Sequence, residues 1–506
     1  MSYFFAALSW IGILFLVIML FNLVIVVHEW GHFLAARWRG LKIEKFQIWF
    51  GKPIWKKTIN GVQYGLGTIP FGGFVALPQM ASMETIEGRV DADGQESAPL
   101  PPISPMDKII VAFAGPLFSF LLAVAFAFVV WGVGKPVLQT EEEAVIGYVD
   151  PERPAGQPGG LMVGDRVTAI DGKPVKRFSG PVESLMWGVV SAENDDIKFS
   201  VIRDGKPLDL VIHAATKDEK EFKEWEAMPW WEKIYNRPPM RRVGVAPAKD
   251  RLGVEEVLEH SPAALAGIQK GDVLRKLNGQ PVFSVGPIPD AIKTAPTAPL
   301  ELEMERDGKI LKFSVTPRIP DEPEDYQKSA PDDNKGEIGL MSFKDLNEAE
   351  RVASGSNIVH PSPLNQIRES LSATFATLGA LISPKSSITP GHMTSAIGIV
   401  SIYHQLFSME HGWRLVFWFT VVLNINLAVL NLLPLPVLDG GHITMALIEG
   451  ASGRPLRGRI VEYVQASFAV LLLSFMVWVM IKDIGGFLSP QSKPIKFHPP
   501  AAEGKS

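Results

Sequence analysis

Long stretches without a charged side chain are the dominant pattern along the chain. Four of them stand out, at residues 4–27, 109–133, 415–438 and 463–481. A helix needs roughly 20 apolar residues to cross a hydrocarbon core about 30 Å thick. One such segment alone is also compatible with a buried core helix, but four together indicate a membrane protein. We therefore predict four transmembrane helices.

The positions of Lys and Arg predict how these helices are oriented. Basic residues follow the first apolar segment, and Arg454, Arg457 and Arg459 follow the third. Loops that carry such an excess stay in the cytoplasm. The first segment lacks the basic start of a signal peptide, so we expect a true span with its N-terminus outside. The long segment 134–414 is then expected on the far side, which in a Gram-negative cell is the periplasm.

This outer segment contains an internal repeat. Residues 160–175 and 267–282 share a Gly-Asp pair, an alternating apolar stretch and an Asp-Gly or Asn-Gly pair. Such pairs between alternating apolar residues are typical of tight β-turns, and two copies indicate a duplicated domain. The pattern resembles PDZ domains, which bind extended peptides or C-termini by strand addition. Two rigid spacer modules are the alternative.

Composition limits the chemistry that the chain can perform. Its 506 residues have a formal net charge of -5, so there is no basic surplus for nucleic-acid binding. The absence of cysteine excludes disulfide scaffolds, thiolate zinc fingers, iron–sulfur clusters and cysteine nucleophiles. A metal site in this chain must therefore use His, Asp or Glu.

A candidate metal site lies at the end of the first apolar segment. His28 and His32 are one helical turn apart, so both imidazoles share a helix face, about 6 Å apart, as binding of one zinc ion requires. Glu29 between them can act as a general base toward water. Ionisable side chains at membrane depth are costly and therefore usually functional. A His-Glu-His cluster satisfied at a helix end is the structural alternative.

The third ligand is less clear from residue chemistry. Catalytic zinc normally has three protein ligands and one open position. Asp439 ends the third apolar segment and precedes two glycines, and His442 follows three residues later. Either side chain can complete the site, with a slight preference for Asp439. A plain Asp-Gly turn that closes a helix is a further alternative.

Together these motifs resemble the site-2 protease family of intramembrane zinc metalloproteases. The resemblance rests on HEWGH at residues 28–32 and NLLPLPVLDGGH at residues 431–442, and it covers nearly the whole chain. It implies one zinc ion per chain, held by His28, His32 and Asp439, with Glu29 as the catalytic base. It also implies that Asn431 and Pro434 contact the substrate.

The resemblance also gives a role to the glycine-rich residues 64–77. Their alternation of apolar and small residues is similar to the family's membrane re-entrant β element. A transmembrane substrate must be locally extended to be cut, and an exposed strand edge can hold it. An ordinary surface hairpin is the alternative. The expected substrate-binding glycines are Gly65, Gly67, Gly72 and Gly73.

Two positions depart from the family pattern. Ser119 stands in the second span where Asn is usual, and residues 395–398 read Ser-Ala-Ile-Gly instead of Gly-Pro-Ile-Gly. These departures affect substrate preference and loop geometry, and they leave the expected zinc site unchanged.

The predicted architecture is a polytopic α-helical membrane protein with four transmembrane helices, a membrane-associated β-hairpin loop and two periplasmic α/β PDZ domains. The expected segments are 1–36 (first span), 37–108 (cytoplasmic loop with the re-entrant β element), 109–133 (second span), 134–216 (first PDZ), 217–243 (insert), 244–320 (second PDZ), 321–414 (linker and interfacial helix), 415–439 (third span), 440–462 (cytoplasmic loop), 463–482 (fourth span) and 483–506 (disordered tail).

The resemblance implies regulated intramembrane proteolysis at the bacterial inner membrane, with the active site toward the cytoplasm. The expected substrate is a single-pass membrane protein embedded in the lipid bilayer, similar to an anti-sigma factor already cut by an upstream periplasmic protease. Peptides or C-termini are expected at the PDZ domains. The alternative is a membrane-anchored PDZ scaffold with an inactive or structural metal site. Glu29 argues against it, because a scaffold has no need of that carboxylate.

Overall fold

A bundle of apolar helices and several β-sheets make up the structure. The computed structural model describes residues 2–80, 103–215, 220–319, 337–454 and 458–488. Within these ranges four helices are long and apolar enough to cross a membrane, which agrees with the four predicted spans. They are Gly12–Trp38, Pro105–Val133, Gly412–Asn431 and Ile460–Gly485.

The elements are numbered in chain order. The helices are α1 (Ser2–Trp38), α2 (Pro105–Val133), α3 (Leu185–Val190), α4 (Lys220–Ala227), α5 (Trp230–Tyr235), α6 (Pro262–Leu265), α7 (Pro287–Thr294), α8 (Leu346–Ser354), α9 (Pro363–Ile382), α10 (Ala396–Ser408), α11 (Gly412–Asn431), α12 (Asp439–Ser452) and α13 (Gly458–Leu488). The strands are β1 (Lys45–Phe50), β2 (Trp55–Ile59), β3 (Val62–Leu66), β4 (Ile69–Ala76), β5 (Lys135–Pro136), β6 (Ile146–Val149), β7 (Arg166–Ile170), β8 (Lys173–Pro174), β9 (Asp196–Arg203), β10 (Lys206–His213), β11 (Val245–Pro247), β12 (Leu252–Val257), β13 (Val273–Leu277), β14 (Gln280–Pro281), β15 (Leu300–Arg306), β16 (Lys309–Val315), β17 (Leu340–Asp345) and β18 (Ile358–Val359).

Helix α2 is the centre of the membrane bundle and packs against α1, α11 and α12. Its N-terminus is fixed by a capping box, in which Ser104 and Asp107 each satisfy a backbone N–H of the other. The small buried residues Ala123 and Ala127 face Val421 and Ile425 of α11. Small side chains at such a contact let two helix backbones approach closely in a membrane.

The third predicted span differs from the structure at its C-terminal end. Helix α11 ends at Asn431, and Asp439 begins a separate helix, α12. The seven residues between them include Pro434 and Pro436, each of which lacks the N–H that a continuing helix needs. Asp439 is therefore positioned by the first turn of α12 and by the non-helical joint before it, and not by the membrane-spanning helix α11.

The glycine-rich region is a four-stranded sheet, ordered β2-β3-β1-β4. Residues 64–77, predicted as a re-entrant β element, span most of β3 and β4, and these two strands do not pair with each other because β1 lies between them. Strand β1 pairs with β3 in parallel and with β4 in antiparallel orientation. Phe46 of β1 packs against Phe33 of α1, with ring centroids 5.4 Å apart, which fixes the sheet to the end of the first span.

The repeat predicted for the outer segment corresponds to two units of similar strand order. The first has the sheet β10-β9-β7-β8 and the pair β6–β11, and the second has β16-β15-β13-β12-β17 with β14 beside β13. In each unit the chain passes out of the sheet after a long β-hairpin, β9–β10 or β15–β16. It then returns to add one more strand, β11 or β17. The predicted boundaries at 216 and 320 omit these strands, because short insertions separate them from the rest of each unit.

The two units contact each other through side chains. The Tyr148 hydroxyl of β6 donates a 2.6 Å hydrogen bond to Asp290 of α7. Burial and then the Asp290 carboxylate raise the pKa of Tyr148 above its usual value, so the hydroxyl stays a donor at higher pH than that of an exposed tyrosine. Lys293 and Glu152 form a second contact, with 2.5 Å between Nζ and Oε1.

The helix predicted within residues 321–414 is α9, which packs on α2 and α11. Gln366 Nε2 donates to the carbonyl oxygen of Ala127 in α2 at 3.0 Å. The short apolar helix α10 follows, in a region predicted as linker, and packs against α1, α11 and α13. The predicted acidic part of the linker and the tail after residue 488 lie outside the described residues.

Candidate metal centre

Helices α1 and α12 bring three potential metal ligands together. His28 Nε2 lies 3.3 Å from Asp439 Oδ2, and His32 Nε2 lies 3.4 Å from Asp439 Oδ1. The two Nε2 atoms are 3.3 Å apart. One ligand atom from each residue falls within 4.8 Å of the others, and all three residues are buried. In the described part of the chain this is the one cluster of His, Asp or Glu with such spacing.

Each imidazole is held from behind by α2. His32 Nδ1 lies 2.8 Å from the carbonyl oxygen of Val111, which can only accept a hydrogen bond. The proton of His32 is therefore on Nδ1, and the lone pair of Nε2 points into the cluster. His28 Nδ1 lies 3.0 Å from the hydroxyl of buried Ser119. Outer partners of this kind fix the tautomer and orientation of metal-binding histidines.

Close backbone approach between helices makes the cluster possible. A Cβ atom on Gly115 of α2 would lie 2.2 Å from His32 Nε2 and 2.8 Å from His28 Nε2. A Cβ atom on Gly31 of α1 would lie 2.4 Å from the carbonyl oxygen of Ala114. Both glycines are required where the two helices cross.

The joint before α12 positions Asp439. A Cβ atom on Gly440 would lie 2.3 Å from the carbonyl oxygens of Leu432 and Leu433. The joint is therefore folded back tightly on the first turn of α12. His442, also buried, is not part of the three-residue cluster.

Glu29 lies beside the cluster, against β4. Its Oε2 atom is buried and has no hydrogen-bond partner among the described residues. The backbone of Val75 in β4 hydrogen-bonds the carboxylate. Because a buried polar atom is normally paired, an unpaired carboxylate oxygen next to two histidines indicates a missing ligand or reactant.

This donor set fits a zinc ion. Two imidazole Nε2 atoms and one carboxylate form a three-ligand arrangement that zinc uses in catalytic sites. Asp439 Oδ2 is buried and, in the part of the chain described, forms no hydrogen bond despite its proximity to His28. An acceptor left in this state fits coordination to a cation better than a purely structural ion pair.

Comparison with known proteins identifies the family. The family model described as peptidase family M50 matches residues 15–475. The chain belongs to peptidase family M50. "Regulator of sigma-E protease RseP" of Salmonella typhimurium is 27% identical over 469 residues, 91% of this chain and 96% of that protein. The protein of the same name in Escherichia coli is 26% identical over 470 residues, again 91% and 96%.

A Vibrio cholerae protein with a provisional zinc metalloprotease name is 26% identical over 474 residues, 91% of this chain and 96% of that protein. Membership of M50 and these relatives make the chain a zinc metalloendopeptidase of the site-2 protease type. The choice between an enzyme and a scaffold is thus decided for the enzyme. Four apolar helices and the relatives indicate an inner-membrane protein.

The four glycines predicted to bind substrate in this M50 chain fall into two groups. Gly72 and Gly73 belong to β4, at the edge of the sheet next to the first span. A Cβ atom on Gly73 would lie 3.7 Å from Glu29 Cγ. Gly65 lies in β3 and Gly67 just after it, across β1 from β4. The outer edge strand β4 therefore carries Gly72 and Gly73 but not the other pair.

The predicted substrate residues of the third span lie at the joint. Asn431 is the last residue of α11, and exposed Pro434 follows within the non-helical stretch. Two other asparagines of α11 have hydrogen-bond partners inside the bundle. Asn424 is buried and donates to the carbonyl oxygen of Thr420 at 2.8 Å, and Asn426 accepts a hydrogen bond from the Thr374 hydroxyl.

Several contributing residues were not predicted as site residues. Gly115 has its signal in the Ala-Gly-Pro sequence within an otherwise bulky apolar span, where a glycine suggests close packing. Asn22, a polar residue inside the first span, accepts from Trp49 Nε1 at 2.7 Å and donates to the carbonyl oxygen of Pro70 at 3.2 Å. It therefore ties the sheet to α1 at membrane depth.

Proposed function

We propose that this enzyme is an intramembrane zinc endopeptidase that cuts single-pass membrane proteins within the bilayer. The observation that carries the proposal is the buried cluster of His28, His32 and Asp439, with Glu29 beside it on a membrane-spanning helix. The Oε2 atom of Glu29 has no hydrogen-bond partner among the described residues. One zinc ion per chain is expected, because these three residues supply one set of ligands.

The residues have distinct proposed roles in peptide hydrolysis. Zinc, when bound, supplies a Lewis acid that polarises the peptide carbonyl and activates water. The Glu29 carboxylate takes a proton from the attacking water and returns it to the leaving amide nitrogen. His28 and His32, held by Ser119 and Val111, keep their Nε2 lone pairs directed into the site. The amide of Asn431 is proposed to hydrogen-bond the substrate backbone near the oxyanion.

The edge of β4 supports a mode of substrate binding. A transmembrane helix has its peptide groups paired internally, so cleavage requires a locally extended segment. Strand β4 is the last strand of its sheet and lies against α1 beside Glu29. An extended substrate can pair with this edge by strand addition, next to Gly72 and Gly73. Pro434 keeps the joint non-helical, which leaves backbone groups for the substrate.

The relatives named regulator of sigma-E protease suggest the class of substrate. We infer an anti-sigma factor, or a protein like it, that an upstream periplasmic protease has already shortened. The two outer units are proposed to be periplasmic PDZ domains that exclude bulky substrates or bind the new C-terminus. Strand β17 ends the second sheet and, with Ile288 and Ile292 of α7 in the same core, gives a suitable edge for a peptide.

The proposed orientation places the metal centre toward the cytoplasm. His28 and His32 lie in the last part of α1, on the side of the basic loop and the four-stranded sheet. The two outer units follow the opposite end of α2, so they are proposed to face the periplasm.

Replacement of the catalytic base tests the function. We expect Glu29→Gln to abolish cleavage of a tagged single-pass substrate in membranes while the purified protein keeps its zinc. The amide is similar in shape but cannot take the proton. Continued cleavage would refute the mechanism. As matched controls for the ligands, Asp439→Asn should lose zinc and activity, and His442→Ala should keep zinc. Release of zinc by His442→Ala would contradict the ligand assignment.

A further inference from the structure

Residues 220–239, here named the Trp insert, carry an exposed aromatic patch. The insert contains α4 and α5 and joins the first unit to its last strand. Trp230 is 71% exposed, and Trp231 and Tyr235 are each 53% exposed. Three large aromatic side chains on one short helix form an unusual surface for contact with water. Trp and Tyr side chains are instead enriched at the boundary between a membrane and water.

The Trp insert is docked at the end of the fourth membrane-spanning helix. The apolar span within α13 runs over Ile460–Gly485, and α5 packs against α13. A Cβ atom on Gly485 would lie 3.0 Å from Tyr235 Cβ. Lys482 Nζ donates to the carbonyl oxygen of Asn236 at 3.2 Å. Helix α5 therefore lies at the depth where a spanning helix leaves the hydrocarbon core.

An ion pair with a buried carboxylate holds the insert in this position. Arg237 Nη2 lies 2.5 Å from Asp483 Oδ1, and the Asp483 side chain is almost fully buried. Ser395 also donates to Asp483 Oδ2, from its backbone N–H at 2.8 Å and its hydroxyl at 2.6 Å. His392 Nε2 lies 2.8 Å from the carbonyl oxygen of Pro238. The height of the aromatic patch is thus set by the membrane helices.

The chemistry next to the patch matches a phospholipid. An open cavity of about 610 Å³ lies between the insert, residues 381–391 and α13, with Trp225, Trp230 and Trp478 in its wall. Two ammonium groups also line it, from Lys233 and Lys482. Lys482 Nζ lies 4.6 Å from the ring centroid of Trp478. Apolar rings beside cations suit a lipid that has an acyl chain and a phosphate.

We propose that the Trp insert is a membrane-surface anchor. Trp230, Trp231 and Tyr235 sit in the headgroup layer of the leaflet on the side of the two β units, and the cavity takes part of one phospholipid. The anchor fixes the height of the first unit above the helix bundle. This role is independent of proteolysis, so it can be tested in the full-length, zinc-loaded protein without a substrate.

The cysteine-free chain allows a direct test with one label. Trp231→Cys carries a nitroxide, and the full chain is placed in vesicles of phosphatidylethanolamine and phosphatidylglycerol. Val211→Cys is the matched control, because Val211 is 62% exposed on β10 of the same unit. Collisions of the label with oxygen, which dissolves in lipid, and with a water-soluble nickel chelate are then measured. We expect residue 231 to gain oxygen collisions and lose nickel collisions relative to residue 211.

A second measurement uses the unlabelled protein. A phospholipid with a photoreactive diazirine near its headgroup should cross-link to residues 228–235 of the wild type. The Trp230→Ser, Trp231→Ser double variant should lose these cross-links while it keeps its zinc. Equal nickel collisions at residues 231 and 211, or absence of lipid cross-links in the wild type, would overturn the anchor. The patch would then be a surface for a soluble protein.

Discussion

Gly115 shows how one residue controls the metal centre. It lies on α2, opposite both imidazoles, where a methyl group would occupy the space next to His32 Nε2 and His28 Nε2. The two histidines could be predicted from their spacing in the sequence, because a helix of regular pitch places them on one face. The contact with Gly115 could not, since it depends on how two distant segments cross.

Replacement of this glycine should release the metal. We expect Gly115→Ala to lose most of its zinc, because the methyl group pushes the imidazoles out of position; overpacking of this kind also costs about 1–3 kcal/mol of stability. Gly132→Ala in the same helix is the control, since its Cβ would meet no atom within 4 Å. Zinc content of both purified variants is measured by mass spectrometry. Full occupancy in Gly115→Ala would contradict the described packing.

Ser119 is expected to affect zinc binding through its hydrogen bond to His28 rather than as a ligand of the metal. Loss of an outer hydrogen bond to a metal-binding histidine typically weakens metal affinity roughly 10- to 100-fold. We expect a change of this size for Ser119→Ala, measured by competition with a zinc-sensitive chelator. Ser467→Ala in α13 serves as the control, because among the described residues the Ser467 hydroxyl donates to the carbonyl oxygen of Tyr463 in its own helix. Equal zinc affinities in the two variants would show that Ser119 has no role in orienting His28.

At the scale of elements, the joint between α11 and α12 decides which residue joins the two histidines in the candidate metal site. The sequence left Asp439 and His442 as competitors, and the tight return of the joint places only Asp439 among the histidines. The prolines of the joint lack the N–H of a continuing helix, but the direction of the next helix depends on long-range packing. The position of β1 between β3 and β4 also could not be predicted from the local sequence. Strand β1 pairs in parallel with β3, which is not its neighbour along the chain.

Two substitutions should separate the effect of the joint on zinc binding from the effect of the rest of α12. In Gly440→Ala the new methyl group would clash with two carbonyl oxygens, so we expect the joint to open and zinc to be lost. In Gly450→Ala, near the other end of α12, the nearest atom to the new Cβ is 3.8 Å away, and zinc should be retained. Comparable zinc content in both variants would show that the joint does not position Asp439.

At the scale of the whole molecule, the two outer units are built alike. Each unit has a buried aspartate that receives two hydrogen bonds from one arginine. Arg203 Nη2 lies 2.7 Å from Asp165 Oδ2, and Arg306 Nη2 lies 2.7 Å from Asp272 Oδ2. The aspartates lie in the repeat that the sequence revealed. The returning strands β11 and β17 escaped prediction, because the insertions before them carry no repeated pattern.

The position of the cut in a membrane-embedded substrate is the most direct test of the central claim. A single-pass substrate, already shortened on its outer side, is reconstituted in lipid vesicles with the wild type or Glu29→Gln, and the product termini are determined by mass spectrometry. We predict new termini inside the substrate's apolar segment with the wild type and none with Glu29→Gln. Termini outside the apolar segment, or the same products from Glu29→Gln, would contradict the account.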